Sequence, residues 1–269
     1  MKKGINVDCT DVKDVKASVA RIVDNGFETS FIMAEDENLP RFVAEAKKVG
    51  LKIETLHAPF ASDGESYIND MWSDGEKCAK MTARLNLAVE KCAAFDIPYL
   101  VTHLSSGENA PRVNETGLEN FYRLVKKAKE SGVVIAFENQ RKLGNLSCAL
   151  EYFPDAGFCF DVGHQNCFTL HKELLPIFGD RLVTVHIHDN LKEKNEDLHR
   201  IPFDGAIDFK EILSQIKKCG YKGPLMLEVF KNMEESYDTS RPYAEMTDDE
   251  YVKRAGKAAK KLNDLYEKL

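Results

Sequence analysis

The sequence predicts an α/β protein, a single closed (β/α)8 TIM barrel spanning residues 1–269. Three observations predict it. Short β-rich runs alternate with helical runs eight times along 269 residues, a period of about 34 residues that implies a parallel sheet closed on itself. No glycine-rich phosphate loop follows the first strand, where Cys9-Thr10-Asp11-Val12 stands, and no GxGxxG or GxxxxGK[ST] occurs; an open doubly wound sheet usually carries one. No Pro/Ser/Gly-rich linker interrupts the series, and barrels of about 250 residues run as one domain.

The expected strands, in order, are Gly4–Asp8, Phe27–Met33, Leu51–His57, Tyr99–His103, Val133–Glu138, Gly157–Asp161, Leu182–His188 and Pro224–Phe230. Apolar residues at helical spacing fill the intervals, as in Val15, Val19, Ile22 and Val23, or Phe121, Leu124, Val125 and Ala128. Several helices run into a glycine, at Gly26, Gly50, Gly132 and Gly220, the usual chemistry of a helix C-terminus ahead of the next strand. Thr247 and Glu250 form a capping box that opens a last helix running nearly to Leu269.

Composition narrows the function classes. With 43% hydrophobic and 30% charged residues and a net charge of −7, the chain has the profile of an ordinary globular protein. It has no basic surplus for tracking nucleic acid or anionic membrane. The opening MKKGINVDCT has no apolar run behind its lysines, so no secretory signal is expected. No stretch reaches the roughly 18 apolar residues of a membrane helix. The seven cysteines, at 9, 78, 92, 148, 159, 167 and 219, include no CxxC pair. They fit reduced core thiols of a cytoplasmic protein rather than a disulfide framework or thiolate zinc site. Cys159 and Cys167 flank a motif-rich segment but carry no nucleophile signature.

Barrel strands carry catalytic groups at their C-terminal ends, and six consecutive strands end in a metal-ligating residue type. LHAP supplies His57, VTHLSSG His103, FENQ Glu138, FDVGH Asp161 and His164, VHIHDN His186, His188 and Asp189, and LEVF Glu228. Strand parity puts Glu138 with Val134 and Ala136, Asp161 with Cys159, and Glu228 with Met226, opposite faces that are bulky and apolar. The acids are therefore expected to point toward the barrel mouth. Converging carboxylates repel unless a proton or cation neutralises them, so carboxylates with imidazole suit Mn²⁺, Zn²⁺, Co²⁺ or Mg²⁺. Singly, each position is an ordinary strand-end residue; at equivalent points of successive units, the set calls for a common cause. The remaining histidine, His171 in TLHKELL, is expected on a solvent-facing helix.

Taken together, HAP, FEN, FDVGH, HIHDN, DLH, DGAIDF and LE resemble the sugar-phosphate isomerase/epimerase superfamily, the xylose isomerase-like barrels that include endonuclease IV (AP endonuclease family 2). The likeness runs from Gly4 to the final helix. It implies one divalent metal held by Glu138, Asp161, His186 and Glu228, with His188 the next candidate for the imidazole. It also implies a carbohydrate substrate whose carbonyl and adjacent hydroxyl chelate the metal, and proton transfer through an enediolate, with Glu138 and Glu228 moving the proton. His164 resembles the family's substrate-oxygen contact. His57, His103, His188, Asp197 and His199 stand as substrate-binding or additional metal residues, and barrels of this type often pair into dimers or tetramers.

The same residues admit other readings. Endonuclease IV holds three zinc ions with nine ligands, and His57, His103, Glu138, Asp161, His164, His186, Asp197, His199 and Glu228 match them in order. That keeps open a multinuclear phosphoesterase, on abasic DNA or a smaller ester, although the acidic balance argues against nucleic acid. A dehydratase on a keto-sugar or cyclitol such as an inosose, and a non-catalytic binding module, are further alternatives. Residues 60–75, 107–115, 191–206 and 231–246 are expected to be top-face loops covering the substrate. Trp72 in the first is either packing for that loop, the preferred reading, or a sugar-stacking platform. Arg141 and Arg200 are the nearest cations to the strand ends, as phosphate or hydroxyl contacts or as solvated loop charges.

Overall fold

The computed structural model describes residues 1–169, 172–232 and 241–269. Eight strands, β1 (Lys3–Asn6), β2 (Thr29–Met33), β3 (Lys52–His57), β4 (Tyr99–Thr102), β5 (Val134–Glu138), β6 (Gly157–Asp161), β7 (Leu182–His186) and β8 (Leu225–Leu227), alternate with helices. The helices are α1 (Val15–Asp24), α2 (Leu39–Val49), α3 (Glu76–Ala94), α4 (Glu115–Glu130), α5 (Leu143–Tyr152), α6 (Val162–Cys167), α7 (Leu175–Phe178), α8 (Phe209–Lys218) and α9 (Asp248–Lys268). The strands form one eight-stranded sheet in the order β7-β6-β5-β4-β3-β2-β1-β8. A parallel bridge between Ile187 and Leu227 links its two ends, so the parallel sheet is a nearly closed barrel. Each strand is shorter than or equal to its expected run. At β1 the reason is local: Asn6 donates to the Asp8 carboxylate at 2.8 Å and Cys9 N–H turns back to Asn6 O, which ends the extended backbone.

The described chain clusters into two compact units. The first comprises Met1–Ile32, Asn38–Ile53 and Phe160–Leu269, and the second Met33–Glu37 and Glu54–Cys159.

In the first unit, β1 pairs with β2 and β8 in a register that sets Gly4 opposite Thr29 and Met226. A Cβ at Gly4 would collide with both side chains, so the close approach needs glycine. Helix α2 stops at Gly50, whose φ of 75° is left-handed and is open to a residue without Cβ. Helix α9 begins with the expected Thr247–Glu250 capping box and buries Tyr251, Val252, Ala255, Ala259 and Leu262. That is an apolar stripe at helical spacing.

In the second unit, Phe121 packs on Phe137 and Phe137 on Phe153, each pair 5.9 Å between ring centres. Trp72 joins the cluster at 5.5 Å from Phe121. It closes a short 3₁₀ turn, Ile68–Trp72, inside a segment expected to be irregular loop. Its indole N–H donates to Leu104 O, and its ring lies where a Cβ on Gly117 would be. Trp72 is buried packing, not an exposed platform. Asn114 caps α4 by accepting from Gly117 N–H at 2.8 Å and donates to Trp72 O at 2.9 Å, tying the helix start to the same turn. Among the described residues, no helix is long and apolar enough to cross a membrane.

Candidate metal centre

The second unit gathers one carboxylate and two imidazoles from three successive strands. His57 ends β3, His103 follows β4 and Glu138 ends β5, all three buried. His103 Nε2 lies 2.7 Å from Glu138 Oε2, and Gln140 Nε2 donates to the same oxygen at 3.1 Å. His57 Nδ1 donates to Ala58 O at 2.9 Å, which turns its Nε2 toward Glu138 Oε2, 3.8 Å away. A ring nitrogen anchored on a carbonyl, which frees the other to face a carboxylate, is a usual setting of a metal-binding histidine. On the other side of the carboxylate, the Cys159 thiol points at Glu138 Oε1 at 3.8 Å. Glu138 and Cys159 are register partners of β5 and β6 and share a face, as strand alternation requires. Phe60 packs on both imidazoles, 4.3 Å from the His103 ring centre and 5.4 Å from that of His57.

In the first unit, β6 ends on Asp161, which also caps α6 by accepting His164 N–H at 2.6 Å. The same oxygen lies 3.2 Å from His188 Nε2. Asp197 Oδ2 sits between two rings, 3.1 Å from His164 Nε2 and 3.3 Å from His199 Nε2, and Asp197 Oδ1 is 3.5 Å from His188 Nε2. His199 Nδ1 donates to the Glu228 carbonyl at 3.0 Å, while the Glu228 carboxylate takes His186 Nδ1 at 3.1 Å. Aromatic neighbours orient the rings: Phe31 stacks on His186 at 4.8 Å, Phe168 on His164 at 4.7 Å, and His188 on His199 at 4.0 Å. Gly163 makes room for His188, whose ring occupies the place of a Cβ there.

The electrostatics follow from this packing. Burial raises the Asp197 carboxyl, but the His199 and His164 charges outweigh it and hold the group well below the usual carboxylate range. Burial lowers His199, and the facing Asp197 carboxylate more than reverses this, carrying the imidazole up to about 9.

The donor atoms of His57, His103 and Glu138 lie within 4.8 Å of one another, as do those of His164, His188, Asp197 and His199. Glu138 belongs to one unit and Asp161, His186 and Glu228 to the other; within its own unit, each has an imidazole or carboxylate partner. Of the expected cations near the strand ends, Arg200 is buried and Arg141 half-buried. His171 lies outside the described residues. All seven cysteines are free thiols, and burial pushes Cys9 above the usual range and Cys92 up to about 12, which suppresses the thiolate.

Two kinds of residue escaped the sequence reading. Gln140 shares Glu138 Oε2 with His103, and its position two residues beyond Glu138 was the available signal. Phe60 and Phe168 follow His57 and His164 by three and four residues, spacings that gain meaning only once the rings are in place. Asp189 is a different matter: it stands beside the histidines in VHIHDN, yet its carboxylate oxygens accept backbone N–H groups of Asn190, Phe203, Gly205 and Ile207.

Comparison with known proteins places this architecture. Residues 17–248 match the model of the xylose isomerase-like TIM barrel, AP endonuclease 2 family. The chain belongs to that family. Protein y4fM of Sinorhizobium fredii is 26% identical to this xylose isomerase-like barrel, over 90% of this chain and 83% of its own. A D-psicose 3-epimerase from Clostridium cellulolyticum H10, solved with D-tagatose, superposes with a TM-score of 0.78 at 16% identity, covering 99% of both chains. The 3-keto-D-glucoside 4-epimerase of E. coli gives 0.73 at 17% identity, covering 98% of this chain and 99% of its own.

Proposed function

We propose that this xylose isomerase-like barrel is a divalent-metal-dependent isomerase or epimerase of a sugar or sugar phosphate. The observation that carries the reading is the series of buried carboxylate–imidazole pairs at strand ends, His103–Glu138 at 2.7 Å and His186–Glu228 at 3.1 Å. Hard oxygen donors and imidazoles, with His57 and His199 each anchored through Nδ1 on a backbone carbonyl, fit Mn²⁺, Zn²⁺, Co²⁺ or Mg²⁺. In this reading, Glu138, Asp161, His186 and Glu228 hold one ion within a single barrel domain of residues 1–269. An ion bound there would supply Lewis acidity toward the sugar carbonyl and so lower the pKa of the neighbouring C–H. Glu138 takes up the carbon-bound proton on one face of the sugar and Glu228, protonated from solvent, delivers its own proton on the other, or the reverse. His164 and its neighbours Asp197 and His199 hold sugar oxygens. The names of the structural neighbours, a D-psicose 3-epimerase and a 3-keto-D-glucoside 4-epimerase, direct the first assays to ketoses and keto-glucosides. Incubation with D-psicose, D-tagatose or D-fructose in deuterated water is expected to wash deuterium into carbon 3, with loss of exchange on chelation. Absence of exchange with these ketoses and with keto-glucosides, in metal-replete protein, contradicts the proposal.

One observation favours a second reading. His57, His103 and Glu138 form one donor cluster, and His164, Asp197 and His199 fall within another; these are six of the nine residues that match, in order, the zinc ligands of endonuclease IV. That enzyme would bind three zinc ions per chain and nick abasic duplex DNA or cleave a smaller phosphate ester.

A further inference from the structure

The loop that delivers Asp197 and His199 is held by a side chain with no part in the proposed chemistry. Asp189 is fully buried. Its Oδ1 accepts N–H of Asn190 at 2.9 Å and Ile207 at 3.1 Å, and its Oδ2 those of Phe203 and Gly205, both at 2.9 Å. A carboxylate has about four lone-pair sites, so none remains for a cation. The backbone of Asp189 also pairs with Arg200, next to His199, at 2.8 and 2.9 Å. Asn190 continues the anchorage: its carbonyl takes Ala206 N–H at 2.9 Å, its amide oxygen takes Lys192 N–H at 3.2 Å, and its amide nitrogen donates to Gly163 O at 3.0 Å. A Cβ at Gly205 would collide with Asp189.

The loop needs such a hub. Lys192, Asn195, His199 and Phe203 have φ values of 67°, 66°, 43° and 77°, left-handed positions that non-glycine residues keep only where the surroundings over-determine them. Other contacts hold the loop on a second side. Tyr243 OH accepts Ile201 N–H at 2.9 Å and donates to Asp204 at 2.9 Å, Arg254 Nε donates to Asp204 at 3.0 Å, and Lys261 lies 3.6 Å from the centre of the Phe203 ring.

We infer that Asp189 is a positioning residue: its carboxylate gathers the amides of Asn190, Phe203, Gly205 and Ile207 so that Asp197 and His199, on the loop between them, meet His164. The inference deepens the proposed function, but only its kinetic arm rests on that reading. Asparagine at this position keeps one acceptor oxygen and turns an NH₂ toward two backbone N–H groups, so the substitution removes the hub with little change in volume. In Asp189→Asn, amide hydrogen exchange at Phe203, Gly205 and Ile207 is expected to quicken by about tenfold or more, while β5 and α4 keep wild-type protection. The imidazole nitrogen signals of His164 and His199, read by NMR in metal-free protein, are expected to shift as they do in Asp197→Asn. With a ketose that the wild type turns over, KM rises about tenfold or more while kcat stays within about threefold. Should Asp189→Asn fail to fold, Gly205→Ala, which crowds the same carboxylate, carries the same expectations. Unchanged exchange or unchanged imidazole signals overturn the inference whether or not any sugar is turned over. A loosened loop with an unchanged KM reduces Asp189 to a fold-stabilising residue and overturns it too. A wild type without turnover defeats the proposed function and leaves the exchange and imidazole arms to decide the role of Asp189.

Discussion

The two histidine clusters are built on different principles. His57, His103 and Glu138 come from the ends of three adjacent strands, β3, β4 and β5, and their positions follow from the ladder. His164, His188, Asp197 and His199 draw on the first turn of α6, the residues just after β7 and a loop with several left-handed residues, so their positions depend on tertiary anchors. A strand-end site is inherited from the sheet, whereas a loop site has to be held by interactions such as those of Asp189. The second arrangement exposes its geometry to more single substitutions.

The largest expected effect breaks the first cluster. Glu138→Gln keeps the shape of the side chain but removes a charge and the proposed proton-transfer group, and turnover is expected to fall by about three orders of magnitude with the fold intact. Steady-state deuterium exchange and circular dichroism check both parts. Next comes packing beside that cluster. Trp72→Ala empties a buried site against Phe121 and Gly117 and is expected to cost about 3–5 kcal/mol of unfolding free energy, measured by urea denaturation.

The third prediction concerns the loop-borne cluster and is made for metal-free protein. The folded pKa of His199 is up at about 9 against an ordinary 6.5, so its contribution is fully present below pH 6.5 and is lost as pH rises to about 9. The facing Asp197, held low, contributes above its unfolded value and loses that contribution as pH falls through its folded one. Stability is therefore expected to decline by up to about 3 kcal/mol between pH 6.5 and 9, and Asp197→Asn to flatten that decline. Unfolding curves across this range supply the test. The smallest effect is expected at Arg141, half-buried beyond β5: Arg141→Ala should shift stability by no more than about 0.5 kcal/mol.

This contrast also explains what was legible in the sequence. The eight-fold alternation and the capping box at Thr247 are local patterns, and the strand-end residues His57, Glu138, Asp161 and His186 follow from barrel logic. Gln140 and Phe60 lie close in sequence to Glu138 and His57, but each also meets His103, a contact that no single segment encodes. Asp189 reads as one more strand-end acid, because the amides that consume its lone pairs lie up to 18 residues further along the chain. The short turn at Ile68–Trp72 was hidden because its stability comes from Gly117 and Phe121, far away in sequence. The joint role of Glu138, Asp161, His186 and Glu228 is what the family likeness implies; no local pattern encodes it.

The central claim is that acids and imidazoles at successive strand ends serve a divalent cation. Elemental analysis of the protein, purified without chelator and dialysed against trace Mn²⁺, Co²⁺ or Zn²⁺, tests it most directly. One tightly held ion per chain, lost in Glu138→Gln and Glu228→Gln, is the predicted result; protein that retains none of these ions contradicts the account.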